Sequence, residues 1–478
     1  MDVVLERTKN QAATTLARRV IFALSLATVA EGVFIGGILP IIPAIVRRYE
    51  ITSGEAFWLN AVYLLAVGVT CPALSRLGDI YGHKKMTILT LIVSMVGIAL
   101  DVVAPNYGVF LVGRFLLGFC PAITPLAIGI FRNSLSEQAA LYGIGSLAAA
   151  MTAGHAIGPV FAAYVFSATS GIGWVFASWI ALLGPSVIAI MLLVPASPAP
   201  ATRRAMDWPG AVMLGGGVAA ILLAFAYGPK AGWGNTIVLG AIVLGVALLV
   251  AWYKFEQRTA FPLVDLRMLN NPRARPYYIS SFLWGFAYYG SQTTVVLFLG
   301  ASHEKLGFGF SVSVLTLGWL LLPQYLVTVV GALIVAKIVR SFGGYRTCGI
   351  IGGVALGVGF AGMMVATHIL WQFMLFSMMT GFGSGLLQTT LSGRVSQVCL
   401  PDERGISAGM YQTFKNIGGA MASAFGSATF AALVINGTKI ASERAYMIVF
   451  VSCLLVSMLI VAALQFGQRD KADQATGT

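Results

Sequence analysis

The stretch Ser75-Arg76-Leu77-Gly78-Asp79-Ile80-Tyr81-Gly82-His83-Lys84-Lys85 separates two apolar runs, near 57–76 and 86–104. It is just long enough to reverse the chain. Gly78 and Gly82 permit a tight turn, and Asp79 is placed to pair with a basic residue or a helix N-terminus. Lys84 and Lys85 anchor the turn at the polar face. A hydrocarbon core takes roughly 20 apolar residues per helix, and each run meets that length. Outward from this turn in both directions, the chain repeats one design of apolar run, short polar turn and apolar run.

About fourteen such runs lie near 21–43, 57–76, 86–104, 107–130, 140–164, 173–195, 209–228, 235–253, 277–299, 313–337, 347–366, 372–392, 408–434 and 446–466. Of all residues, 58% are hydrophobic and 10% are charged, against roughly 25% charged in soluble chains. So few charges cannot cover so apolar an interior in water. The predicted fold class is an all-α, multi-pass membrane protein, and its first partner is the lipid bilayer. The net charge of +13 would suggest nucleic acid in a soluble chain. Here the basic residues sit in short loops, where the positive-inside rule accounts for them, and no nucleic-acid partner is expected.

With an even number of spans, both termini fall on one side. That side carries Lys84, Lys85, Arg132, Arg203, Arg204, Lys254, Arg258, Arg267, Arg273, Arg275, Arg340, Arg346, Arg394, Arg404, Arg469 and Lys471, together with Arg7, Lys9, Arg18 and Arg19. The opposite side holds only Arg47, Arg48, Lys230, Lys305, Lys439 and Arg444. Both termini are therefore predicted to be cytoplasmic. No A-x-A-like site closes the first run, which reads as a retained helix. The loop Arg340-Ser341-Phe342-Gly343-Gly344-Tyr345-Arg346 echoes the opening stretch. Glu137 stands six residues before Gly143 as Glu403 does before Gly409. These echoes predict an N-terminal six-helix bundle (1–200), two inserted helices with a basic cytoplasmic linker (201–275), and a C-terminal six-helix bundle (276–478). The linker has room for a short surface helix.

Ionisable groups within a span are costly and mark function by default. The interior candidates are Glu31, Arg114, His155 and Lys415, with Asp79 and Asp101 at span ends. Withdrawal from water favours the neutral form of a carboxyl group, so a mid-span glutamate can load and release a proton near neutral pH. The alternative for Glu31 is a permanent charge pair with Arg114. The guanidinium of Arg114 stays charged and either tunes Glu31 or bonds to helix carbonyls. In Gly154-His155-Ala156-Ile157-Gly158-Pro159, small residues four apart allow close helix contact and Pro159 bends the helix. His155 either titrates there or packs as a satisfied side chain. Lys415 either meets an anionic substrate or lipid headgroup, or snorkels to the cytoplasmic interface. Trp58, Asn60, Tyr63, Trp284, Tyr288, Tyr289, Gln292, Gln324, Tyr325, Gln388, Tyr411 and Gln412 either line a cavity for an amphipathic substrate or serve helix packing and interface belts. The five scattered cysteines form no CxxC and predict neither a disulfide framework nor a metal site. No nucleophile–base set or phosphate loop is present to predict an enzyme.

These motifs together resemble the major facilitator superfamily, and more narrowly its fourteen-helix drug:proton antiporter branch, from about residue 25 to 465. Leu77, Gly78, Asp79, Gly82 and Lys84 match the family's second-to-third loop motif; Ser75 and Ile80 replace a glycine and an arginine of it. Leu111, Arg114 and Gly118 match its fourth-helix motif. Gly154, Gly158 and Pro159 match the antiporter motif of the fifth helix, with Ala162 and Ala163 for its trailing glycines. Glu31 to Pro40 has the spacing of the branch's first-helix motif. Pro262-Leu263-Val264-Asp265-Leu266 and Pro401-Asp402-Glu403-Arg404-Gly405 also look like that branch. The resemblance implies proton-coupled efflux by alternating access in a cytoplasmic (inner) membrane. Glu31 and Arg114, with His155, would carry proton coupling. The Gly78–Lys85 loop would stabilise one conformation. The proton is the coupling ion and no other cofactor is implied. A periplasmic adaptor joins the list of partners where the host has an outer membrane. Export of one dedicated metabolite, lipid or siderophore is the second reading, and a non-transporting receptor the remote one.

Overall fold

The computed structural model describes residues 2–196, 206–259, 262, 264, 266–341, 344–398 and 404–466, with side chains from Thr14 and, in the last segment, from Ser407. Arg203, Arg204, Leu263, Asp265, Phe342, Gly343, Cys399, Pro401, Asp402, Glu403, Arg469 and Lys471 lie outside the described residues. So do the side chains of Arg7, Lys9, Arg404 and Gly405.

Helices are the only regular structure among the described residues, beside one isolated bridge between Val434 and Ala441. The long ones are α1 (Asp2–Arg48), α2 (Trp58–Tyr81), α3 (His83–Val103), α4 (Tyr107–Ser134), α5 (Glu137–Thr169), α6 (Ile172–Leu193) and α7 (Trp208–Ala231). They continue as α8 (Thr236–Glu256), α9 (Arg275–Gly300), α10 (Val314–Ser341), α11 (Gly344–Val365), α12 (Leu370–Val398), α13 (Arg404–Ala432) and α14 (Glu443–Phe466). Eleven of them are long and apolar enough to cross a membrane. The other three, α9, α12 and α13, have 26, 29 and 29 residues. They are rich in Gly, Ser, Thr, Gln and Tyr; α9 buries most of those residues and α12 half of them. A helix surrounded by protein needs less apolar surface than one facing lipid, which is why hydropathy alone under-reads these three.

Helix packing follows one pattern twice. α1 packs on α5 and α6, α3 on α4 and α6, and α2 on α4. Likewise α9 packs on α13 and α14, α11 on α12 and α14, and α10 on α12. The two sets meet reciprocally, α5 against α10 and α13 against α2. α7 pairs with α8 and leans on α2 and α13. The linker after α8 holds one short helix, Leu266–Asn270, whose Leu266 and Met268 are buried, so it packs against protein. α4 is broken by the turn Cys120–Ala122, where Pro121 interrupts the helix.

The two helix sets close on each other at one end. At the closed end Phe57 meets Phe430 edge-on at 4.8 Å. A Cβ on Gly54 would stand 2.9 Å from the Ser427 carbonyl oxygen, and one on Gly300 3.3 Å from Pro43. At the other end a Cβ on Gly145 (α5) or Gly409 (α13) would meet nothing within 4 Å.

Candidate functional site

Glycine sets how near α1 comes to α5. A Cβ on Gly154 would lie 2.3 Å from the Val29 carbonyl oxygen, and one on Gly32 2.4 Å from that of Met151. Gly158 faces Val33 and Gly37 in the same manner. The seam continues on the far side of α5, where a Cβ on Gly318 of α10 would stand 2.7 Å from the Pro159 oxygen and 2.6 Å from Ala163. α5 is therefore wedged between the first helix of one set and the second helix of the other. Ala162 and Ala163 are fully buried in this wedge.

Glu31 sits beside the seam, next to Gly32. It is 1% exposed, and neither carboxylate oxygen has a hydrogen-bond partner among the described residues. The cation whose field reaches it is Lys415 of α13. Lys415 is itself 6% exposed. The reason is packing: a Cβ on Gly285 of α9 would fall 2.7 Å from the Lys415 carbonyl carbon, which holds this turn inside the protein. The Lys415 ammonium lies 5.9 Å from the ring centroids of both Trp284 and Tyr411, distances at which cation–π attraction contributes about 0.5–2 kcal/mol.

An aromatic wall extends from this point. Trp284 stacks on Tyr288 at 5.4 Å, and Tyr288 meets Tyr289 edge-on at 5.1 Å. The half-buried imidazole of His155 lies parallel to Tyr325 of α10 at 6.1 Å. Tyr288, Tyr289, Gln324 and Gln412 are half-buried, Gln292 is buried and Gln388 is exposed. Tyr411 donates to the Gln388 carbonyl at 3.4 Å. Asn60 donates to Thr293 of α9 at 2.9 Å, a buried bond between the two helix sets. Trp58 opens α2 at the closed end. The space at Gly145 and Gly409 lies roughly 15 and 9 Å along α5 and α13 from His155 and Lys415.

Arg114 is not placed against Glu31. It is 1% exposed, lies over the Tyr63 ring at 5.1 Å, and its acidic counterpart is Asp101 of α3. Tyr63 lies within the fields of both Glu31 and Arg114. Asp101 is 2% exposed. Gly97 and Gly113 bring α3 and α4 so close that a Cβ on Gly113 would stand 2.1 Å from an Asp101 oxygen. The sequence shows Asp101 only as a span-end residue; its inward position depends on that glycine contact.

In the opening stretch, Gly82 takes φ +96°, a conformation that side chains resist. Asp79 lies in the last turn of α2 and pairs with His83 at 3.3 Å. His83 fills the groove left by Gly78 and Gly129. Lys84 donates to the carbonyls of Met191 and Val194 at 2.9 and 2.6 Å, capping the C-terminal end of α6. Lys85 is exposed. His83 and Thr293 carried no distinguishing signal in the sequence.

Two matching helix sets meet at buried polar side chains. The chain belongs to the Major Facilitator Superfamily, whose profile matches residues 24–209 and 208–423. It is similar to puromycin resistance protein pur8 of Streptomyces alboniger, 24% identical over 96% of this chain and 92% of that protein. It is similar to the tetracenomycin C resistance and export protein of Streptomyces glaucescens, 24% identical over 80% and 70%, and to multidrug resistance protein 3 of Bacillus subtilis, 22% identical over 69% and 63%. The chain spans about half to two thirds of the length of several curated relatives, from 49% to 66%. Among solved structures, the human organic anion transporter MFSD10 superposes with a TM-score of 0.63 at 14% identity, over 94% of this chain and 99% of that one. An auto-inhibited POT family peptide transporter gives 0.65 at 15%, over 95% and 98%. At such identities these likenesses describe the fold.

Proposed function

We propose that the protein exports small amphipathic molecules by alternating access, driven by protons moving inward through Glu31. The observation that carries this reading is an acid withdrawn from water beside the α1–α5 seam, with no hydrogen-bond partner to fix its ionisation. Access to water governs whether such an acid holds its proton, so a change of access loads or unloads it. Resistance and export names among the relatives support efflux. The proposed architecture is fourteen spans, two six-helix bundles (1–200 and 276–478), and α7–α8 as the inserted pair within 201–275. Both termini are cytoplasmic and the membrane is the inner one, so the closed end faces away from the cytoplasm. In this arrangement Arg114 acts on Glu31 through Tyr63, and the Gly78–Lys85 turn holds α2, α3 and α6 together in one conformer.

Glu31→Gln is isosteric and removes the titration. In proteoliposomes of the reconstituted protein, this variant is expected to lose pH-gradient-driven transport by more than tenfold while keeping the wild-type elution profile. Undiminished pH-driven transport by Glu31→Gln removes this residue from the mechanism. The names of the relatives include both single-antibiotic export and multidrug resistance, so a dedicated exporter is the second reading. A panel of unrelated toxic compounds, tested for growth protection, separates the two.

A further inference from the structure

Lys415 has no use in a purely structural account. Its ammonium is buried at membrane depth on α13, with the aromatic faces of Trp284 and Tyr411 at equal distance. Such a cation normally pairs directly with an anion. Among the described residues no ion pair reaches it. One further group at the same place lacks a partner among the described residues: the indole N–H of Trp284. A free cation and a free N–H donor share one ring, and that ring continues into the Tyr288–Tyr289 stack. Donors without acceptors, set in an aromatic wall, suit a flat ring that bears an acidic group. The carboxylate or phenolate would accept from Lys415 and the Trp284 N–H, and the ring would lie against the tyrosines.

We propose that Lys415, with Trp284 and Tyr411, forms an anion subsite that selects aromatic acids as substrates. The proposal rests on the transporter reading above but not on proton coupling. It sets Lys415 apart from the acidic group at Glu31: one takes the proton, the other takes the substrate's charge.

The test is equilibrium binding to purified protein in nanodiscs, without a pH gradient, using 2-naphthoate, its methyl ester and 2-naphthylmethylammonium as probes. The wild type is expected to bind naphthoate at least tenfold more tightly than the ester or the amine. Lys415→Met should abolish that preference while binding the ester as the wild type does, which shows that the site has folded. Lys415→Arg should retain most of the preference. Equal affinities for the three probes, no saturable naphthoate binding, or an undiminished preference in Lys415→Met would each overturn the proposal. Because no proton gradient is present, a failure of proton coupling leaves this result intact, and loss of the anion preference leaves the Glu31 test intact.

Discussion

At the scale of single residues, the buried charged groups lie on different helices: Arg114 and Asp101 on α4 and α3, Glu31 and Lys415 on α1 and α13. A glutamate between Ala30 and Gly32 in an apolar run announces itself, and so does a lysine in the 408–434 run. Neither sequence position says which cation meets which acid. Arg114 lies with Asp101 and Tyr63, whereas Glu31 senses Lys415, nearly four hundred positions away. Asn60 shows the same limit, since its partner Thr293 belongs to the other helix set. That bond gives a measurable prediction. A hydrogen bond contributes about 0.5–1.5 kcal/mol net, removing one buried partner costs about 1–3, and bonds between membrane helices average about 0.6. Asn60→Ala and Thr293→Val should each lower the thermal midpoint of the purified protein by a few degrees. The double variant should lower it little further, because the two changes remove one interaction. Fully additive losses would show that the two side chains contribute independently.

At the scale of helices, the predicted runs and the observed segments correspond throughout. The departures are physical. α1 extends well before the apolar run at 21–43, because amphipathic residues continue the helix beyond the hydrocarbon core. α4 is interrupted where Pro121 removes a backbone donor. α9, α12 and α13 read weakly because their surroundings are protein. The glycine spacing on α5 was readable as a close contact, but only the fold identifies α1 and α10 as the partners. Two substitutions on α5 separate packing from intrinsic helix preference. Gly145→Ala adds a methyl group to open space, so it should be neutral or stabilise the helix by about 0.5–1 kcal/mol. Gly154→Ala places the same methyl 2.3 Å from the backbone oxygen of Val29. It should destabilise by about 1–3 kcal/mol as α1 and α5 are forced apart. Thermal unfolding of the two variants in one detergent provides the comparison; a Gly154→Ala protein as stable as Gly145→Ala would deny the seam its role.

At the scale of the whole molecule, the closed end depends on a few contacts between segments distant in sequence. Ser53 donates its backbone N–H to the Lys439 carbonyl at 3.0 Å, and the Lys439 ammonium reaches the carbonyl of Glu50 at 2.7 Å and its carboxylate at 3.6 Å. Lys230, at the end of α7, pairs with Glu55 at 3.1 Å, so the α7–α8 pair is tied to the same end. Exposed ion pairs contribute about 0–1 kcal/mol each, which suits a closure that must open in every cycle. Export through this end requires the 49–57 and 434–442 segments to part, and a covalent link between them should stop transport without unfolding the protein. Adjacent backbones joined by a hydrogen bond place their Cα atoms within disulfide range, roughly 4.4–6.8 Å. Cys71, Cys120, Cys348 and Cys453 are buried and do not compete for oxidant at the surface, and the test uses a Cys399→Ser background. Ser53→Cys combined with Lys439→Cys should therefore cross-link on mild oxidation in proteoliposomes, with transport falling more than tenfold and returning on reduction. Either single variant should transport normally before and after oxidation. If the cross-linked protein carries substrate at the reduced rate, this end does not open during transport and the substrate leaves by another route.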